Sequence, residues 1–300
     1  MSRTGLVLAR EGGRFRVATE AGELVAVLRG KARRDATDRV VVGDRVTLDA
    51  GDRLGVVGIT GVSPRRNLLE RRVPLGRGAR PVAANLDRVL VVTAARDPAP
   101  IPQLLDRLAA IAEANDIPVA IVINKTDLDP DPGIAARYRD AGYPVHLVSG
   151  KSGAGLAELA EALRGKESLL TGASGVGKST LLNRLQPGLA LRTAEISAKL
   201  RRGRQTTVAA VLIPLAGGGW LVDTPGFSEA GLWGIAPREL ARCFPELRPR
   251  LERCKFPDCT HRTEPGCAVK AAVGDGVHPE RYQSYLVLLD ELLSAPRDWE

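Results

Sequence analysis

Residues 172–180 read "GASGVGKST", between an apolar run ending near Thr171 and a helical run starting near Lys178. They satisfy G-x-x-x-x-G-K-[ST] in the strand–loop–helix setting the motif requires, which commits the surrounding chain to an α/β domain. Such a loop, here Gly172, Ala173, Ser174, Gly175, Val176, Gly177, Lys178, Ser179 and Thr180, turns successive backbone N–H groups inward around phosphate oxygens. The helix N-terminus adds to the attraction. Lys178 is expected to reach the β- and γ-phosphates as a catalytic group, and the Ser179 hydroxyl to bind Mg2+. A glycine-rich turn without a ligand is the plain alternative. The lysine, the serine and the setting together disfavour it.

Two further segments support that reading. Asp223-Thr224-Pro225-Gly226 closes the strand-like run "GWLV", where an acid at the strand end can hold Mg2+ and the Gly226 N–H can sense a γ-phosphate. Between the motifs lies "KLRRGRQTTVAA" (199–210), a polar, basic, glycine-containing stretch that suits a mobile switch. Its Thr207 is expected to complete the Mg2+ shell.

The order of the remaining motifs is unusual. "VINKTDL" (122–128) places Asn124-Lys125-Thr126-Asp127 at the end of a strand, ahead of the phosphate loop. Guanine presents N1–H and its 2-amino group as adjacent donors, and the Asp127 carboxylate can accept both; adenine offers no such pair. Lys125 can lie along the purine face, and Asn124 can tie neighbouring loops together. The next strand ends in "VSGKSG", where backbone amides near Ser149 and Gly150 are expected to meet guanine O6, with Lys151 flanking the ring. An ordinary GTPase cut before its fourth strand, with its old ends joined, has this order; permutation is tolerated where termini lie close together. The cut also puts the switch and Asp223 just before the C-terminal segment, so nucleotide-driven movement is expected to pass into residues 230–300.

Outside this domain, residues 1–72 read as five short strands (5–9, 13–19, 23–29, 40–48 and 53–60), enough for a small oligonucleotide-binding (OB) type barrel. Residues 1–75 carry 15 Lys or Arg against 9 Asp or Glu, and the remaining 225 carry 28 against 26. The basic end suits a polyanion, with a solvated surface as the alternative. Phe15 is the segment's one aromatic, so arginine–phosphate contact is expected to outweigh base stacking. A linker is expected at 73–81, an α/β domain over 82–232 and a mainly helical domain over 233–300. No run approaches the roughly 18 apolar residues of a membrane span, and the N-terminus lacks a cleavable leader pattern. A cytoplasmic setting and a monomer are the expectation.

The C-terminal segment contains Cys254, Cys259, His261 and Cys267, spaced C-x4-C-x-H-x5-C. Three thiolates and an imidazole satisfy tetrahedral Zn2+ with no open position, so one structural zinc is expected. A disulfide pair is the alternative, disfavoured in a reducing compartment.

Barrel, "NKTD", "SGKSG", "GASGVGKST", "DTPG" and the cysteine cluster in this order resemble the bacterial circularly permuted, small-ribosomal-subunit-dependent GTPases, the RsgA or YjeQ family. The resemblance implies GTP hydrolysis to GDP, stimulated by the small subunit late in its maturation, with the barrel and zinc domain gripping rRNA. In much of that family a histidine aligns with Gln205, and it has been favoured as a catalytic group. Gln205 is carried over as the catalytic candidate, able to orient water but not to act as a general base. Two alternatives stay open: a nucleotide-gated RNA-binding factor with incidental hydrolysis, and a permuted GTPase of the large subunit. The latter would predict neither barrel nor cysteine cluster.

Overall fold

The computed structural model describes residues 3–29, 40–51, 56–72, 79–130, 132–187, 210–224, 231–232 and 235–294. Five strands open the chain: β1 (Arg3–Glu11), β2 (Arg14–Thr19), β3 (Gly22–Leu28), β4 (Arg45–Leu48) and β5 (Val57–Val62). They pair in the order β1-β2-β3-β5-β4, and β4 returns to β1 with Leu6 opposite Arg45, so the ring closes into a barrel. Val7, Phe15, Val17, Ala26, Val46, Leu48 and Ile59 fill it. Phe15 is 1% exposed. The aromatic considered for base stacking is thus a core residue, because β2 points it inward at the alternate positions that also carry Val17.

Two strands flank the stretch expected as a linker at 73–81, and the second of them takes in its last three residues. β6 (Leu68–Arg72) pairs antiparallel with β7 (Ala79–Ala84), with a register shift between Leu69 and Glu70. Residues 73–78 lie outside the described residues, whereas 79–81, expected as the end of the linker, belong to β7 because they find an antiparallel partner in β6, which local composition does not signal.

The central domain comprises β8 (Arg88–Ala94), α1 (Pro102–Glu113), β9 (Val119–Asn124), α2 (Ile134–Asp140), β10 (Val145–Leu147), α3 (Leu156–Leu163), β11 (Glu167–Gly172), α4 (Lys178–Leu185), β12 (Val211–Pro214) and β13 (Trp220–Asp223). The sheet order is β10-β9-β8-β11-β13-β12, parallel except for antiparallel β12 at the edge. Apolar residues cover both faces, as a parallel sheet demands. Leu90, Val92, Val122 and Leu170 pack on α3 and α4 through Leu159, Leu163, Leu181 and Leu182. Val89, Val91, Ile121 and Leu169 face α1 through Leu105, Leu108 and Ala109.

This second face continues into both flanking segments. β1 is buried on two sides, since Val7 points into the barrel while Leu6 and Leu8 join the α1 core. β1 also pairs with β12, Ala9 opposite Val211, so barrel and sheet are hydrogen-bonded edge to edge. Arg45 of β4 is ion-paired with Glu167 at the start of β11. Arg66 reaches Asp87 at 2.9 Å, whose other oxygen accepts the Glu167 N–H at 2.7 Å.

After β13 come a 3-10 helix (Pro237–Cys243), α5 (Arg248–Leu251), α6 (Ala268–Ala271) and α7 (Pro279–Ser294). Leu240, Phe244, Leu247, Leu288 and Leu289 join the α1 core. Residues 225–230, the direct chain route from Asp223, lie outside the described residues. Among the described residues the C-terminal segment meets the sheet domain through α1 and α2, with Arg107–Glu291, Arg137–Glu280 and Arg248–Glu113 ion pairs across the join. No described helix is long and apolar enough to cross a membrane.

Candidate functional site

Because β8, β9, β10, β11 and β13 run parallel, the loops at their carboxyl ends share one edge of the sheet, where open α/β sheets bind ligands. The Asn-Lys-x-Asp loop, the 149–153 loop, the phosphate loop and Asp223 all lie on that edge. A Cβ on Gly172 (φ 146°) would collide with Val92 O, so glycine lets the phosphate loop leave β11 against β8. Gly177 (φ 92°) precedes α4, and a Cβ there would strike Asn124 Nδ2.

Asn124, 2% exposed, joins two loops. Its Nδ2 donates to Val176 O at 2.9 Å, and its Oδ1 accepts the Gly150 N–H at 2.9 Å. Lys125 (φ 62°) donates to Asp97 O in the loop after β8. Ser149, fully buried, donates from Oγ to Asp127 Oδ1 at 2.6 Å and accepts the Ser152 N–H at 3.0 Å. That hydrogen bond, with Lys151 and Lys125 nearby, holds the exposed Asp127 carboxyl below its ordinary range. Asp127 is therefore an aimed carboxylate acceptor.

Two expected donors are placed differently. The Ser149 N–H donates to Ala154 O at 2.9 Å, and the Gly150 N–H is taken by Asn124. Turn closure consumes the first amide and the Asn124 side chain the second, leaving Lys151 N–H as the next along the loop. Arg184, which sequence reasoning missed, donates from Nε to Gly150 O at 3.0 Å and from Nη2 to Lys151 O at 2.9 Å. Its only sequence signal is its place one turn after Thr180 on α4.

Lys178 opens α4, and its Nζ donates to Gly172 O and Ala173 O, both at 2.7 Å. Burial lowers its pKa while Asp223 opposes the shift; burial likewise raises Asp223 while Lys178 opposes it. The two groups therefore sense each other at the loop mouth. Ser179 is exposed beside them. Ser179 and Asp223 offer only oxygen donors, a set suited to Mg2+. Gln205, Thr207 and Gly226 lie outside the described residues.

The cysteine cluster is assembled. The donor atoms of Cys254, Cys259, His261 and Cys267 lie within 4.8 Å of one another. His261 Nδ1 stands 3.5 Å from both Cys254 Sγ and Cys267 Sγ. All four cysteines are free thiols, so the disulfide alternative does not hold among them. Burial lowers the His261 pKa against the pull of Glu264, keeping the imidazole neutral as a ligand must be. Burial and the adjacent sulfurs push the Cys259 thiol up to about 12, a clustering that a divalent cation would relieve. Three sulfur donors and one imidazole nitrogen fit Zn2+. Around them, Tyr282 and Tyr285 of α7 donate to His261 O at 2.6 Å and Thr260 O at 2.8 Å. Glu264 accepts from Thr260 N at 2.7 Å and Arg262 N at 2.9 Å, and Cys267 caps α6. Cys243 stands apart, buried at the end of the 3-10 helix.

Comparison with known proteins gives a consistent answer. The family model described as RsgA GTPase matches residues 62–233. A protein from Gemmatimonas aurantiaca named small ribosomal subunit biogenesis GTPase RsgA is 50% identical, over 97% of this chain and 98% of its own. One of the same name from Moorella thermoacetica is 42% identical over 98% and 99%. The crystal structure of YjeQ from Thermotoga maritima superposes with a TM-score of 0.80 at 35% identity, covering 98% of this chain and all of that one. YloQ, described as a circularly permuted GTPase, superposes at 0.76 with 32% identity over 99% and 97%. With base loop before phosphate loop, and a barrel and cysteine cluster on either side, the chain belongs to the RsgA GTPase family.

Proposed function

We propose that this GTPase hydrolyses GTP in response to the small ribosomal subunit and acts late in that subunit's maturation. The observation that supports this most is Asn124, which ties the phosphate loop to the second base loop at a permuted sheet edge. Asp127 reads guanine, Lys125 lies along the ring, and the 149–151 loop closes over the base. The 172–180 loop holds the phosphates, with Lys178 on the β- and γ-groups and Gly226 sensing the γ-phosphate. Water attacks the γ-phosphorus in line, the bond to the β-phosphate oxygen breaks, and GDP leaves as the product phosphate carries the water's protons. Gln205 orients that water; Ser179, Asp223 and Thr207 would hold Mg2+, which when bound would supply positive charge against the phosphate oxygens.

Exposed Arg3, Arg10 and Arg14 on the barrel favour phosphate contact with rRNA, since Phe15 is in the core. The zinc centre is structural. Cys259→Ser is expected to lower bound zinc well below one per chain by metal analysis and to expose the C-terminal segment to protease; full zinc retention would contradict the ligand set. The protein works in the cytoplasm as a monomer, and a light-scattering mass well above 31.9 kDa would count against that.

Steady-state GTP hydrolysis with and without purified small subunits tests the function. Stimulation by small but not large subunits is expected, and none at all would favour the incidental-hydrolysis alternative. Unchanged stimulated turnover in Gln205→Ala would remove Gln205 from the mechanism.

A further inference from the structure

We propose that Arg184 is a positioning residue for guanine selection, setting the peptide plane that presents the Lys151 N–H to the purine O6. The proposal rests on the base-site reading above and adds the residue that orients its second loop.

Beside the Asp127–Ser149 hydrogen bond, three side chains act on the geometry of residues 149–151. Asn124 holds the Gly150 N–H, so that amide is not available to a base. The Arg184 guanidinium forks across two carbonyls, Gly150 O at 3.0 Å and Lys151 O at 2.9 Å. Thr180 lies beneath the same loop: a Cβ on Gly150 would sit 3.0 Å from Thr180 Cγ2. Thr180 and Arg184 are four residues apart on α4 and therefore share one face. The helix whose N-terminus carries the phosphate loop thus also carries the base loop on its side.

The peptide between Gly150 and Lys151 is planar and trans, the one cis bond among the described residues being Asp97–Pro98. In a trans peptide the carbonyl and the amide hydrogen point in opposite directions. Pulling Gly150 O toward α4 therefore turns the Lys151 N–H away from α4. A guanidinium suits this role because its planar fork reaches two oxygens at once, which an ammonium does not. With the Ser149 and Gly150 amides consumed inside the protein, Lys151 N–H is the loop donor left for O6.

The test measures affinity for GDP, IDP (no 2-amino group, O6 kept) and 6-thio-GDP (2-amino group kept, sulfur at position 6). Arg184→Ala is expected to weaken GDP and IDP about tenfold each, as for loss of charged hydrogen bonds, and 6-thio-GDP far less. Arg184→Lys is expected to fall between. Equal weakening of all three in Arg184→Ala would mean general loosening of the fold and overturns the proposal, as does an unchanged GDP affinity. Asp127→Asn serves as the parallel control for the base site. GDP affinity undiminished there overturns the base-site reading and this proposal together. A loss in Asp127→Asn with none in Arg184→Ala overturns the proposal alone.

Discussion

Arg281→Met is expected to destabilise the protein by about 3–5 kcal/mol, the cost of removing one partner from a buried ion cluster. Arg281 is 1% exposed, on the face of α7 that meets α1. Its Nη1 donates to Asp106 Oδ1 at 2.5 Å, and its Nε and Nη2 donate to the two Glu246 oxygens at 2.7 and 2.9 Å. The guanidinium carbon lies 4.8 Å from the Phe244 ring centroid and 5.4 Å from those of Tyr138 and Tyr143. Tyr138 OH adds a donor to Asp106 Oδ1 at 2.8 Å. Without the arginine, two carboxylates buried among aromatic rings lose the cation that contacts both of them. Urea denaturation followed by circular dichroism measures the loss. Adding Asp106→Asn and Glu246→Gln to Arg281→Met is expected to recover much of it, because the orphaned charges go too. A loss below about 1 kcal/mol in the single variant would mean that the cluster behaves as an exposed pair.

Lys178→Ala is expected to lower single-turnover GTP hydrolysis by roughly 10²–10³-fold, the scale of removing one preorganised donor from developing transition-state charge. The ammonium is already held by two loop carbonyls, so little reorganisation is needed when phosphates arrive. Folding should change little, since the lysine's burial works against its charge. Turnover within about threefold of the unsubstituted protein would remove Lys178 from the mechanism. Arg is not an equivalent replacement, because a planar five-donor fork differs from the compact ammonium charge.

Much of the molecule is legible because its information is local. A loop motif between strand and helix, a candidate base-reading tetrapeptide and four candidate metal ligands within 14 residues each indicate their chemistry without distant partners. Their order alone indicates the permutation, and the sheet order has β8 beside β11 as that cut requires. What stays hidden depends on separation in sequence. Asp106, Glu246 and Arg281 meet across 175 positions, and none carries a periodic signal of its own. The β1–β12 seam is likewise invisible, because β1 reads as any short apolar strand while serving two cores. The backbone amides of Ser149 and Gly150 are misjudged from sequence because donor direction is set by the fold, not by residue type. The β6–β7 pairing is missed since the Pro and Gly of the sequence between them mark turns and linkers alike.

The proposed function requires a guanine-nucleotide-controlled encounter with the small ribosomal subunit. Sedimentation of the protein with purified small subunits, in GDP and in a non-hydrolysable GTP analogue, tests this most directly. Co-sedimentation in the GTP analogue that falls sharply in GDP is the predicted result. Equal co-sedimentation in both nucleotides, or none in either, would contradict it.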